Sequence, residues 1–236
     1  MSDLERLLEV QELDSEIDGI AQQSDRLPER IALAEATAAL RAAQGARDAA
    51  AQAIALAEAR IAELESAGEQ RARRSALLGE QLRQASSERQ AAALTHELDA
   101  LTAERSVADD EELALLEEVE EASARRDEVL GSLDALIAQE AGAAQELRAA
   151  EGTLDGRRAE LGQRRASAAE RVPASLLERY EQMRAAFGGV AVARMSGGRC
   201  GACHLDQSRT MIEALRRAGP EEMFECEQCG RLLVQG

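Results

Sequence analysis

QASSERQ, residues 84–90, is a short polar break between two long runs of seven-residue periodicity. Upstream of it, Leu33, Leu40, Arg47, Ile54 and Ile61 recur at heptad spacing, with Ala36, Ala43, Ala50, Ala57 and Leu64 as the companion row. Downstream, Leu94, Leu101, Ala108, Leu115, Ala122, Val129 and Leu136 form one row. Leu98, Arg105, Glu112, Val119, Arg126, Leu133, Glu140, Leu147, Leu154 and Leu161 form the other. Apolar residues at alternating steps of three and four are the seam of a coiled coil, and alanines in that seam let two helices approach closely. The charged entries fix register at some cost in stability. Ser87 and Gln90 have capping-box spacing, so a new helix begins just past the break. A break midway between two runs of similar length predicts an antiparallel hairpin with its tip at about 84–88. The first run degrades over GEQRARRSALLGE, residues 68–80, and stops near the tip. An arm of about 75 residues, at ~1.5 Å each, is roughly 110 Å long. The alternative is pairing of each run with a second chain, and a homodimer through the coiled coil stays open.

Outward from the hairpin, residues 1–23 read as an amphipathic helix carrying Leu4, Leu7, Val10, Leu13, Ile17 and Ile20 on one face. SDRLPER, residues 24–30, interrupts it, and Pro28 suits the first turn of the next helix. On the other side, Pro173 starts a short helix with Leu176, Leu177, Tyr180 and Met183 on one face, and Gly188-Gly189 ends it. VAVARM, residues 190–195, reads as a strand, a short helix begins at about Gln207, and EEMFEC (221–226) and RLLVQ (231–235) read as two more strands. The expected fold class is mainly α, a long antiparallel coiled-coil hairpin followed by a small β-rich ribbon. The expected domains are 1–171, with helices at about 2–24, 29–84 and 88–170, and 172–236.

Composition agrees with that reading. Aromatics are 1% of the chain, and Tyr180, Phe187 and Phe224 are all of them. Ordinary cores lean on aromatic side chains for buried area, whereas a chain built from Ala, Leu, Glu, Arg and Gln is a long-helix composition. The formal net charge is -17 and the sequence has no lysine. A chain this acidic repels phosphate backbones on average, so nucleic-acid binding requires a local basic patch. MSDLERLLEV has acidic residues where a signal peptide has its basic region. No run approaches the ~20 apolar residues of a membrane span. These features point to the cytoplasm and to no membrane partner.

The four cysteines fall in two C-x-x-C pairs, Cys200/Cys203 in CGACH and Cys226/Cys229 in CEQC. Zn2+ asks for four ligands in a tetrahedron, and two such turns supply four thiolates. Gly201 and Gly230 fit turns whose backbone must pass close to sulfur. CGACH alone has the spacing of a c-type haem attachment site, but that reading needs export and strands the second pair. A redox dithiol has no use for the second pair either. The expected cofactor is one structural Zn2+, with His204 a bystander. Four thiolates leave no open position for catalysis. With no G-x-x-x-x-G-K-[ST], H-E-x-x-H or G-x-S-x-G in the sequence, no catalytic residue and no small-molecule substrate are expected. About fifty residues with two phenylalanines bury too little apolar surface to fold alone; metal binding supplies the missing free energy.

Arginines gather in two places. Arg71, Arg73, Arg74, Arg83 and Arg89 lie within a few turns of the tip, and Arg157, Arg158, Arg164, Arg165 and Arg171 lie near the ribbon. The plain reading of a charge run on a coiled coil is a solvated face. The functional reading makes the tip cluster a nucleic-acid contact. His96 sits alone on a polar helix face.

The arrangement of hairpin, CGACH and CEQCGRLLV resembles the bacterial C4-type zinc-ribbon family with an N-terminal coiled-coil hairpin, and the resemblance spans essentially the whole chain. Its most specific pieces are the four cysteines, CGR at 229–231 and LTHELDAL at 94–101. It implies a cytoplasmic adaptor, with relatives linked to flagellar or type III secretion and to alternative sigma factors, and with nucleic acid, including RNA, among the partners ascribed to the group. The lysine-free, alanine-rich style resembles an actinobacterial member. After the tip this sequence has ERQAAAL where members often carry an aromatic, so no role carries over through that position. The function expected is a non-enzymatic zinc-binding adaptor for a protein or ribonucleoprotein partner. Direct DNA or RNA regulation through the arginines and a redox or zinc-responsive switch are the alternatives.

Overall fold

The computed structural model describes residues 2–217, 219 and 222–235, except for the side chain of Gln235. Glu221, the first residue of the expected 221–226 strand, lies outside them. The order of elements is α1 (Asp3–Asp25), α2 (Pro28–Arg83), α3 (Glu88–Ala169), α4 (Ala174–Ala186), β1 (Val192–Ser196), β2 (Arg199–Cys200), α5 (Arg209–Arg217), β3 (Phe224–Glu225) and β4 (Leu232–Gln235). Two compact units result: Ala32–Ala143, and Met1–Ile31 together with Ala144–Gly236. Among the described residues no helix is long and apolar enough to cross a membrane.

The unit Ala32–Ala143 is the antiparallel pairing of α2 with α3. Ala36, Ala50, Ile54, Ala57, Leu64 and Leu78 are buried on α2, against Ala108, Ala122 and Leu133 on α3. Arg60 pairs with Glu111 at 2.8 Å and Arg74 with Glu97 at 3.4 Å, so one index rises as the other falls. The heptad seam does not degrade over 68–80 as the residue types suggest. Gly68, Arg71 and Ser75 are half-buried, and Leu78 is buried at the next seam position. Pattern reading misses these because glycine, arginine and serine hold seam positions; Arg71 reaches across to the Glu104 carbonyl at 3.3 Å. Arg105, read as a seam residue, is exposed and pairs with Asp109 at 3.4 Å. Arg47 and Arg126 do lie in the seam, where each turns its guanidinium to the adjacent Asp48 or Asp127 and keeps its stem in the interface. At the tip, Ser87 Oγ accepts the Gln90 amide at 3.3 Å, which caps the first turn of α3.

The other unit is organised around α1. Ser2 caps it, accepting the Glu5 amide at 3.2 Å while Glu5 takes the Ser2 amide at 2.7 Å. This full capping box starts the helix at Asp3. Leu7 and Val10 are fully buried. Their core includes Leu154, Leu161 and Ala168 of α3, Leu176 and Tyr180 of α4, and Val192, Leu232 and Val234 of the ribbon. Each such leucine contributes roughly 1.5–3 kcal/mol by leaving water. One core therefore joins α1, the end of α3, α4 and the sheet.

The sheet runs β2-β1-β4-β3. Its two outer pairings are antiparallel, but β1 and β4 run parallel, with Val192 opposite Leu232 and Met195 opposite Gln235. A parallel pair needs a long crossover, and residues 197–231 supply it, carrying both C-x-x-C turns and α5. The strand starts at Val192 rather than Val190 because side chains take the preceding backbone groups: Gln11 accepts the Ala191 amide and Arg231 donates to the Val190 carbonyl. Helix α5 starts at Arg209 rather than near Gln207. Ser208 is its N-cap, accepting the Met211 amide at 3.1 Å, and Gln207 is buried beneath it.

Candidate metal centre

Cys200 ends β2, Cys226 follows β3, and Cys203 and Cys229 close the two turns. All four sulfurs lie within 4.8 Å of one another. Cys200 Sγ is 3.9 Å from Cys229 Sγ, and Cys203 Sγ is 3.7 Å from Cys226 Sγ. A disulfide would require ~2.05 Å. Four sulfurs at the ~2.3 Å zinc bond length and tetrahedral angles stand about 3.8 Å apart. The donor set and its spacing fit Zn2+, and four thiolates fill its tetrahedral shell.

The two turns repeat one backbone design. In the first, the Cys200 amide bonds the Leu205 carbonyl at 3.1 Å and the His204 amide bonds the Cys200 carbonyl at 2.9 Å. In the second, the Cys226 amide bonds the Arg231 carbonyl and the Gly230 amide bonds the Cys226 carbonyl, both at 2.8 Å. Residue four after the leading cysteine takes a positive φ in each: +60° at His204 and +71° at Gly230. His204 is thus the counterpart of Gly230, held there by its backbone while its side chain is exposed. Gly201 answers a different need. Its amide bonds the Arg194 carbonyl at 3.0 Å, and a Cβ there would stand 2.6 Å from that oxygen.

Side chains tie the two turns together. Gln207 is 6% exposed, and its Oε1 accepts the Glu227 amide at 3.2 Å. Glu227 in turn accepts from the Ser208 amide and hydroxyl at 3.3 and 3.0 Å, placing a carboxylate at the N-terminus of α5. Arg231, of the CGR motif, donates to the Val190 carbonyl at 2.8 Å and the Phe187 carbonyl at 3.0 Å, and stacks 5.1 Å over the Phe187 ring. It thereby takes up a free carbonyl at the end of α4.

The thiols are unequal. At Cys203 a hydrogen bond from the Leu205 backbone favours the thiolate, but lost hydration and three neighbouring sulfurs outweigh it and push the thiol up to about 12. At Cys229 lost hydration is outweighed by hydrogen bonds from the Arg231 backbone and guanidinium and from neighbouring thiols, which hold it down to about 7. Bound Zn2+ supplies the positive charge that lets all four stand as thiolates.

Sequence reading missed a second cluster, where α1 meets α4 and the end of α3. Asp14 is 4% exposed, and it accepts from the Tyr180 hydroxyl at 2.7 Å and from Arg165 at 3.2 and 3.3 Å. Arg165 also pairs with Glu181, and Arg184 pairs with Asp18 at 2.7 Å. Burial, then the bond to Asp14 and its charge, raise the Tyr180 hydroxyl well above the usual tyrosine range. One step along α1, the Gln11 carboxamide accepts the Ala191 amide at 2.7 Å and donates to the Gly189 carbonyl at 2.9 Å. The available signal was Gln11 and Asp14 standing on the apolar face of α1 beside Leu7 and Val10.

The tip arginines are largely committed, and the second cluster is so only in part. At the tip, Arg71 occupies the seam, Arg73 pairs with Glu69 at 2.9 Å, Arg74 with Glu97 and Arg83 with Glu80. Arg89 is exposed and has no ion pair among the described residues. Of the second cluster, Arg165 and Arg171 are taken by Asp14 and Glu9, and Arg157, Arg158 and Arg164 are exposed. His96 is exposed on α3.

Residues 10–188 match the family described as CT398-like coiled coil hairpin domain, and residues 199–233 match the C4-type zinc ribbon domain. The chain belongs to the CT398-like coiled-coil hairpin family. An uncharacterized protein of Mycobacterium tuberculosis is 30% identical, over 97% of this chain and 94% of the relative. A solved protein of Mycobacterium smegmatis superposes with a TM-score of 0.79 at 28% identity, covering 100% of both chains. CT398 of Chlamydia trachomatis superposes at 0.81 with 18% identity, covering 99% of this chain and 98% of its own. The chain is thus a CT398-like hairpin with a C4 ribbon holding a structural Zn2+, and its curated relatives are actinobacterial. Both family descriptions name a structural element, a coiled-coil hairpin and a zinc ribbon.

Proposed function

We propose that this protein is a non-enzymatic adaptor, in which a zinc-stabilised head and a helical hairpin present surfaces to a protein partner. The observation that supports it is the closed metal set: four sulfurs at tetrahedral spacing consume every coordination position, so the ion holds structure rather than substrate. Protein is favoured over nucleic acid because Arg73, Arg74 and Arg83 already have carboxylate partners and Arg71 is in the seam. Direct nucleic-acid contact by Arg71, Arg73, Arg74 and Arg83 would exchange those contacts for phosphate, whereas Arg89 has no ion pair among the described residues to give up. The zinc-loaded protein, used as bait in cells of its own kind, is expected to retain the same partner proteins with and without nuclease. Partners that vanish with nuclease transfer the reading to RNA or DNA, and no partner in either arm removes the adaptor.

A further inference from the structure

The hairpin of α2 and α3 has two unlike flanks. With Ile61 and Leu64 at seam positions a and d, the g rows of the two helices share one flank and the e rows share the other. The g flank is closed by ion pairs across the seam, Arg60–Glu111 and Arg74–Glu97. On α3 the g row holds no apolar residue from Gln90 to Gln139. The e flank is open. A groove of about 910 Å3 runs along it, where Glu65, Ala72 and Gly79 of α2 face Thr102 and Asp109 of α3.

Further along the same α3 row stand Leu116, Leu130 and Ile137, at heptad spacing or its double. They are 44%, 46% and 49% exposed. Leu113 on the adjoining row is 61% exposed. Opposite Leu116, Leu130 and Ile137, on the e row of α2 and in the same register, stand Glu58, Gln44 and Thr37, with Ala51 opposite Ser123 in between. Large apolar residues on one helix beside a polar row on the other make an exposed apolar ledge of the kind a third helix covers in a bundle. A row of large apolar residues left in water marks an interaction surface.

Charge selects the occupant. Between Ser106 and Glu140 the chain has twelve acidic residues and two arginines. Glu120 and Asp134 flank the ledge with no ion pair among the described residues. A second copy would bring the same acidic rim against it. We infer that the e flank of the hairpin, centred on Leu116, Leu130 and Ile137, docks an amphipathic helix of a partner protein whose polar margins are basic. This rests on the adaptor reading and names its surface and the chemistry of its partner.

The test uses the full-length zinc-loaded protein and two synthetic helical peptides, one of leucine–lysine heptads and a twin with glutamate in place of lysine, read by fluorescence anisotropy at physiological salt. The lysine peptide binds at least about tenfold more tightly than its twin, a difference of about 1.4 kcal/mol. Combined Leu116→Ser, Leu130→Ser and Ile137→Ser weakens it by a similar factor, whereas Glu104→Gln with Glu118→Gln on the g row leaves it unchanged. Circular dichroism checks that both variants keep their helix. Equal weakening by the g-row variant, or none by the e-row variant, overturns the inference. So does a wild-type dimer in sedimentation equilibrium that the e-row variant converts to monomer, because the occupant is then a second copy. An e-row variant that still retains every cellular partner overturns the docking face and leaves the adaptor standing; a wild type that retains none removes the adaptor itself.

Discussion

His204 shows how a residue's role can sit in its backbone. In sequence it completes CGACH and invites a haem or ligand reading. In the structure it occupies the left-handed position that glycine fills in the second turn, φ +60° against +71° at Gly230. A non-glycine residue there costs roughly 1–2 kcal/mol. His204→Gly is therefore expected to keep one zinc per chain and to raise the denaturation midpoint, or hold it level where the added chain entropy of glycine offsets the relief. Loss of zinc on that substitution would show that the imidazole matters after all. Asp14 is the opposite case, a side chain whose partners are everything. Asp14→Ala leaves the buried Tyr180 hydroxyl without its acceptor and Arg165 with Glu181 alone, and leaving a buried group unpaired typically costs about 1–3 kcal/mol; urea denaturation measures it, and a loss under about 0.5 kcal/mol would count against the network. Tyr180 also sets an alkaline limit. Its folded pKa lies above the unfolded value of about 10. The stability it contributes is fully present below that value and is lost as pH rises past it. As the chain's single tyrosine, it reports on itself: phenolate absorbance should appear together with unfolding, and titration of the intact fold near pH 10 contradicts the assignment.

Elements were legible where periodicity was strong. The two heptad runs, the tip and the start of α2 at Pro28 all follow from residue spacing and capping chemistry. The seam through Gly68, Arg71 and Ser75 did not, because small and charged residues hold the positions that pattern reading reserves for apolar ones. The zinc ligands were legible because C-x-x-C spacing is set by the metal. The parallel β1–β4 pair was not, since strands of two to five residues say nothing of direction and the pairing depends on a crossover built from both turns and α5. Gln207 and Glu227 were equally hidden: each looks like loop polarity, yet together they fasten one turn to the other. Glu227→Ala frees the N-terminus of α5 and is expected to speed zinc transfer to a chromogenic chelator severalfold without changing stoichiometry. An unchanged transfer rate would reduce the contact to surface decoration.

At the scale of the molecule, division of labour follows from composition. The unit Ala32–Ala143 rests on an alanine-rich seam and carries the acidic belt. The unit holding the ribbon concentrates all three aromatics, all four cysteines and the buried polar network. The ribbon is not an appendage there, because α1 shares one core with α3, α4 and the strands, and Gln11 takes the backbone just ahead of β1. Zinc should accordingly hold more than the residues that ligate it. The direct measurement is amide hydrogen exchange of the full chain, zinc-loaded and after chelation. Protection is predicted to fall together in β1, β4, α4 and α1 when zinc is removed, while α2 and α3 within Ala32–Ala143 keep theirs. Loss confined to residues 199–233, with α1 and α4 as protected as before, would contradict the account.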